Sequence, residues 1–174
     1  MKKLVLGSAI LAVLGMTSTA MAANSGTVNF TGAVSTATCN LSLKNSAGSD
    51  IANVELGTLS STATANGTAV DFKLVPQEST CLTKTAATME WDSPTLNATG
   101  MSNAATNGTN ATMALQAVNA TETDKMVKQG NTTFNFTGTS GISSFNYRAQ
   151  LVKPTGALTA GVFNASANYI IAYK

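Results

Sequence analysis

No histidine occurs anywhere in this 174-residue chain. Its absence removes the commonest general base near neutral pH and the commonest metal ligand. Cysteine is limited to Cys39 and Cys81, and two sulfurs without histidine do not make a zinc site. Charged residues make up only 10% of the chain, and the formal net charge of +2 includes Lys2 and Lys3. A nucleic-acid interface needs a basic surplus, and none is left once those two lysines are set aside. There is no G-x-S-x-G elbow, phosphate-cradling glycine loop or metal-ligand spacing. The reading is of a non-enzyme with no metal, no cofactor and no nucleic-acid partner.

Two charged groupings are candidates for chemistry and have plainer readings. Glu90 and Asp92 stand two apart, so on a strand they share a face and resemble an acid–base pair. An outer, solvated face behind Met89 and Trp91 is the reading favoured for them. Glu122, Asp124, Lys125 and Lys128 form the densest charge cluster and read as a surface turn. Triplets of the type Asn66-Gly67-Thr68 and Asn97-Ala98-Thr99 are expected by chance in a chain this rich in Asn and Thr.

Long apolar runs are also missing. The longest, Leu4 to Met16, is too short to cross a bilayer comfortably. It follows Lys2 and Lys3 and precedes Ala20-Met21-Ala22, the pattern of a secretory signal peptide over residues 1–22. Cleavage after Ala22, or alternatively Ala23, removes 22 of 174 residues and leaves 152, enough for one domain with a real core. In an exported chain an even pair of cysteines reads as a disulfide, Cys39–Cys81. Closing that loop contributes about 4 kcal/mol on a chain-entropy estimate.

What is abundant is period-two alternation. Val70, Phe72 and Leu74 alternate with Asp71 and Lys73, and Pro76 ends the run. Met89 and Trp91 alternate with Glu90 and Asp92; Met113, Leu115 and Ala117 share a side, as do Phe134 and Phe136. Phe145, Tyr147, Ala149 and Leu151 face opposite to Asn146, Arg148 and Gln150, and Phe163, Tyr169, Ile171 and Tyr173 stand in register at the end. Polar turns such as NATGMSNAATNGTN separate the runs, and no segment has helical periodicity with caps. The expectation is an all-β, immunoglobulin-like sandwich. Phe145, Tyr147 and Trp91 read as core residues, not sugar-stacking platforms.

The two ends belong together. Val28, Phe30 and Val34 form one more amphipathic strand near the start, but Gly32 leaves a hole in its apolar row. The last strand runs to the final residues and needs a neighbour. Joining these facts between molecules gives strand addition, in which one copy's N-terminal segment lies beside another copy's last strand. Each inserted apolar residue would contribute roughly 1.5–3 kcal/mol before ordering costs. Such a head-to-tail contact need not close and so generates a fibre. Pairing of Val28–Val34 within its own chain is the alternative, and Gly161 has an alternative reading as a plain turn glycine.

These stretches carry a resemblance. GTVNFTGAVSTATC, VDFKLVP leading to CLTKT and MEW, SFNYRAQL, and AGVFNASANYIIAYK together resemble a major pilin of the chaperone–usher fimbriae of Gram-negative bacteria, FanC-like in kind. Gly161 occupies the family's glycine fourteen residues from the C-terminus, counting the last as one, and Tyr173 its penultimate tyrosine. The resemblance implies an incomplete immunoglobulin-like sandwich lacking its seventh strand, with the disulfide at Cys39 and Cys81. Residues 23–35 would form an N-terminal donor-strand extension and 36–174 the pilin domain. Val28, Phe30, Gly32 and Val34 would be donor residues, Gly32 facing a shallow pocket. Gly161, Phe163, Tyr169, Ile171 and Tyr173 would belong to the chaperone and acceptor groove, some of them as ordinary core.

The same resemblance implies identical subunits as partners in a head-to-tail polymer, served by a periplasmic chaperone and an outer-membrane usher. The product would be a surface fimbria reached through the periplasm and supporting cell adhesion. A second reading makes the shaft itself a lectin-like binder of host glycans. That group carries basic residues between its last two strands. Here LVKPTGALTAG offers only Lys153, with Arg148 in the preceding strand, and these two are the candidate glycan contacts.

Overall fold

A computed structural model describes residues 39–174. The leader 1–22 and the segment carrying Val28, Phe30, Gly32 and Val34 lie outside the described residues. In chain order the elements are β1 (Leu41–Asn45), β2 (Val70–Pro76), the single helical turn α1 (Ser79–Leu82), β3 (Ala86–Asp92), β4 (Leu96–Asn97), β5 (Gly100–Ser102), β6 (Thr112–Ala117), β7 (Thr133–Thr137), β8 (Phe145–Val152) and β9 (Asn168–Tyr173). All named strand pairs are antiparallel, in a six-stranded sheet ordered β1-β2-β8-β6-β5-β4 and a three-stranded sheet ordered β7-β3-β9. This is the expected all-β, immunoglobulin-like sandwich.

Alternation becomes layering. Phe72 and Leu74 of β2 and Phe145, Tyr147, Ala149 and Leu151 of β8 are buried, and so are Ala87, Met89 and Trp91 of β3 and Phe134 and Phe136 of β7. The two inner faces meet through aromatic rings. Tyr147 stacks on Phe72 at 5.6 Å and meets Trp91 edge-on at 5.0 Å, and Phe136 stands edge-on to Phe145 at 4.9 Å, spacings at which ring quadrupoles attract. Burying a phenol requires partners for its hydroxyl. Tyr147 accepts from Trp91 Nε1 at 3.1 Å and donates to Met89 Sδ at 2.9 Å. Burial pushes this phenol's pKa well above its ordinary value. One side chain of the large sheet is thereby bonded to two of the small one.

Several features differ from, or add to, the sequence expectation. β1, β4 and β5 are additional strands, and α1 is an unforeseen helical turn. The last strand forms its ladder only from Asn168, although the alternation begins at Phe163. Glu90 and Asp92 are exposed on the outer face of β3. Within the charge cluster Lys128 pairs with Asp124 at 2.8 Å, and Lys125 Nζ donates to the carbonyls of Val118 and Ala120 at 2.9 and 2.6 Å.

Cys39 is bonded to Cys81, with their Cα atoms 6.0 Å apart. Beside it the Glu78 carboxylate accepts from both the Asn40 backbone N–H, at 2.7 Å, and Asn40 Nδ2, at 2.8 Å. These contacts fasten the start of β1 to the turn that follows β2. Tyr147→Phe is expected to leave the Trp91 indole N–H without an acceptor and to lower unfolding stability by about 1–3 kcal/mol. Denaturant unfolding of wild type and variant, followed by Trp91 fluorescence, measures the difference.

Candidate functional site

Among the described residues β9 is bonded on one side only, to β3. Its register pairs Thr88 with Ala172 and Glu90 with Ile170, and the Lys174 N–H donates to the Ala86 carbonyl at 2.9 Å. Even-numbered residues therefore turn their backbone toward β3. Antiparallel geometry then turns the N–H and C=O groups of Tyr169, Ile171 and Tyr173 the other way. Among the described residues no hydrogen bond closes that edge.

The open edge continues upstream of the ladder. Phe163, Ala165 and Ala167 are half-buried and Asn164 and Ser166 exposed, a strand-like alternation. Here a side chain substitutes for a neighbouring strand. Asn103 Oδ1 accepts from the Asn164 N–H at 2.8 Å, and Asn103 Nδ2 donates to the Val162 and Thr109 carbonyls, each at 2.8 Å. The Ala104 N–H donates to the Asn164 carbonyl at 2.8 Å, and Ser93 Oγ donates to the Ser166 carbonyl at 2.7 Å. No described hydrogen bond reaches the backbone of Phe163, Ala165 or Ala167. The row without partners among the described residues thus runs on odd-numbered residues from Phe163 to Tyr173.

Against this edge lies a cleft of about 1030 Å³. Leu41 and Leu43 of β1 form one wall and the chain from Gly161 to Tyr169 the other, with Phe72, Leu74, Trp91, Leu115 and Leu151 among the apolar lining. Leu41, Leu43, Val54 and Leu56 are only partly buried against the core. An apolar trough next to unpaired backbone groups offers both things an extended segment needs: ladder bonds and side-chain pockets.

Of the groove residues expected from sequence, Gly161, Phe163 and Tyr169 line this cleft. Tyr169 packs its ring 5.6 Å from Trp91, and burial raises its phenol pKa. Ile171, 6% exposed, belongs to the core cluster. Tyr173 is half-buried with its ring 6.1 Å from Phe145. Its hydroxyl is buried without a partner among the described residues, and burial, reinforced by the Glu78 charge, pushes its pKa up to about 12. Gly161 has a steric reason to be glycine. Its φ is +152°, and a Cβ there would stand 2.6 Å from the Gly108 carbonyl carbon and 2.7 Å from the Thr109 nitrogen. The donor residues Val28, Phe30, Gly32 and Val34 lie outside the described residues.

The candidate glycan contacts are engaged elsewhere. Arg148 makes a bidentate pair with Asp71, Nε and Nη2 donating at 2.7 and 3.0 Å, and this pairing holds the Asp71 carboxyl below its usual range. Lys153 Nζ donates to the Pro154 carbonyl at 3.1 Å. Five residues of extended chain separate them by on the order of 16 Å.

Asn103 is a site residue that sequence reasoning missed. Its pattern, one Asn in an Asn-rich loop, gave no signal. Gly161→Ala is expected to push the final segment away from Gly108 and Thr109 and to destabilise the fold by about 1–3 kcal/mol. Thermal unfolding reads the loss.

Comparison with known proteins follows the same lines. No family model matches the chain. It is 36% identical over 185 residues to the K99 fimbrial protein of Escherichia coli, covering 99% of each chain. It is 31% identical over 177 residues to the F107 fimbrial protein of Escherichia coli, covering 100% of each.

Proposed function

The chain belongs to the family of fimbrial subunits represented by these two proteins, and from that footing we propose that it polymerises by donor-strand exchange. The domain of residues 36–174 would be an unfinished sandwich. Residues 23–35 of a neighbouring copy would complete it, with Val28, Phe30 and Val34 entering the cleft beside β9 and Gly32 crossing its shallowest point. The single observation that carries this reading is the backbone row from Phe163 to Tyr173, without partners among the described residues, whose first part, Phe163 to Tyr169, borders an apolar-lined cleft. Such a row is costly unless something is hydrogen-bonded to it.

Before assembly the same edge would be covered by a strand lent by a periplasmic chaperone. An outer-membrane usher would exchange that strand for the next subunit's extension. The route is export by the signal peptide of residues 1–22, transit of the periplasm and incorporation into a surface fimbria that supports adhesion. The role is structural and not enzymatic. A lectin-like role for Arg148 and Lys153 draws less support, because Asp71 and the Pro154 carbonyl already occupy their cationic groups.

Surface material electrophoresed in denaturant without boiling should give a ladder at multiples of the subunit mass that collapses to one band on heating. A single band in both lanes would count against strand-linked polymers. Gly32→Asn should leave the subunit folded and soluble but shorten or abolish the ladder. A ladder of normal length from that variant would remove Gly32 from the donor role.

A further inference from the structure

The three-stranded sheet has a second edge, β7, and the sequence places no bulge or proline there to protect it. On β7 the Gly138 N–H donates to the Thr85 carbonyl at 2.9 Å and the Trp91 N–H to the Thr132 carbonyl at 2.9 Å. With Met89 opposite Phe134 in the register, even-numbered residues face β3. Thr133, Asn135 and Thr137 therefore turn their N–H and C=O groups outward.

The middle position of this outer edge is closed on both counts. The Asn135 N–H donates to both oxygens of the Glu122 carboxylate, at 2.9 and 3.1 Å, and Asn135 Nδ2 donates to Glu122 Oε1 at 2.8 Å. The Asn135 carbonyl accepts from the Thr121 N–H at 2.8 Å. On the opposite side of the strand pair, Thr88 Oγ1 donates to Asn135 Oδ1 at 2.8 Å, so the Asn135 side chain is fixed as well. Desolvation raises the Glu122 pKa, but the Asn135 hydrogen bonds outweigh it and the net shift is downward.

We propose that Glu122 is a specificity-determining residue for assembly: its carboxylate closes the β7 edge against a second copy of this chain, so that strands add only along β9. The inference rests on the donor-strand reading for what happens at β9, but the closure of β7 is a property of the subunit alone. Edge strands left open in this way are templates for unintended pairing, and a side chain bonded to the edge's own backbone groups removes the template. The contrast between the edges is chemical. Both carry outward backbone groups; among the described residues the central one of the β7 edge, Asn135, is occupied by its own chain, and those of β9 are not. A linear, unbranched polymer follows from that asymmetry.

The test compares full-length wild type, Glu122→Gln and Glu122→Ala assembled on the cell surface. Glu122→Gln retains Oε1 as an acceptor for both Asn135 donors and should match the wild type. Glu122→Ala should give several-fold more laterally fused or branched polymers on electron micrographs. Unfused, unbranched Glu122→Ala polymers in normal yield would overturn the proposal. Where Glu122→Ala yields too little polymer to score, the purified subunit decides. Its Asn135 amide should exchange hydrogen about tenfold faster than in wild type, as expected for loss of a charge-assisted hydrogen bond, and it should self-associate in sedimentation velocity. Wild-type exchange rates and sedimentation would again overturn the proposal. Failure of the donor-strand reading appears separately, as absence of strand-linked polymers from wild type; the subunit comparison then still decides the role of Glu122.

Discussion

A backbone amide at the rim of a sheet must find a hydrogen-bond partner, and the smaller sheet meets that demand unequally at its two rims. At β7 the chain supplies its own partners, Glu122 and Thr121. At β9, and along the extended chain before it, the described residues supply none on the outer side. The apolar walls of the cleft, Leu41 and Leu43 facing Phe163 and Tyr169, lie on the same side as the missing hydrogen bonds. Polar need and apolar opportunity thus coincide along one line of the molecule.

That line depends on a core in which the two sheets are chemically joined, not merely stacked. Tyr147 carries the junction, since its ring packs against Phe72 and Trp91 and its hydroxyl is engaged by Trp91 and Met89. Trp91 is shared between this core and the cleft lining. Its indole nitrogen faces the interior partner and its ring borders the trough beside Tyr169. The cleft is consequently lined by residues whose positions are fixed by the core beneath.

Much of this was legible in the sequence, because half-buried strands obey a period of two. β2, β3, β7 and β8 follow their alternations closely, with Phe72, Met89, Phe134 and Tyr147 all buried. β1 escaped because all five of its residues are half-buried, as suits a wall of an open trough. β4 and β5, of two and three residues, are too short for any period to register. The stretch Phe163–Ala167 was legible as alternation but not as pairing. Its hydrogen bonds come from Asn103 and Ser93, far away in sequence. Gly161 was legible as a family mark, while its steric cause, the approach of Gly108, needs three dimensions. Glu122 read as part of a solvated turn for the same reason: its partner Asn135 is distant in sequence and follows no period.

The disulfide has a mechanical consequence. Cys39 and Cys81 are separated by 42 positions, and a pull arriving at Cys39 passes straight through sulfur to the turn after β2. The intervening loop, with β1 and β2 in it, carries none of the tension. Roughly 140 Å of contour, at about 3.4 Å per residue, can never be reeled out of the molecule. Under traction the subunit behaves as a short tether whose first two strands are spared.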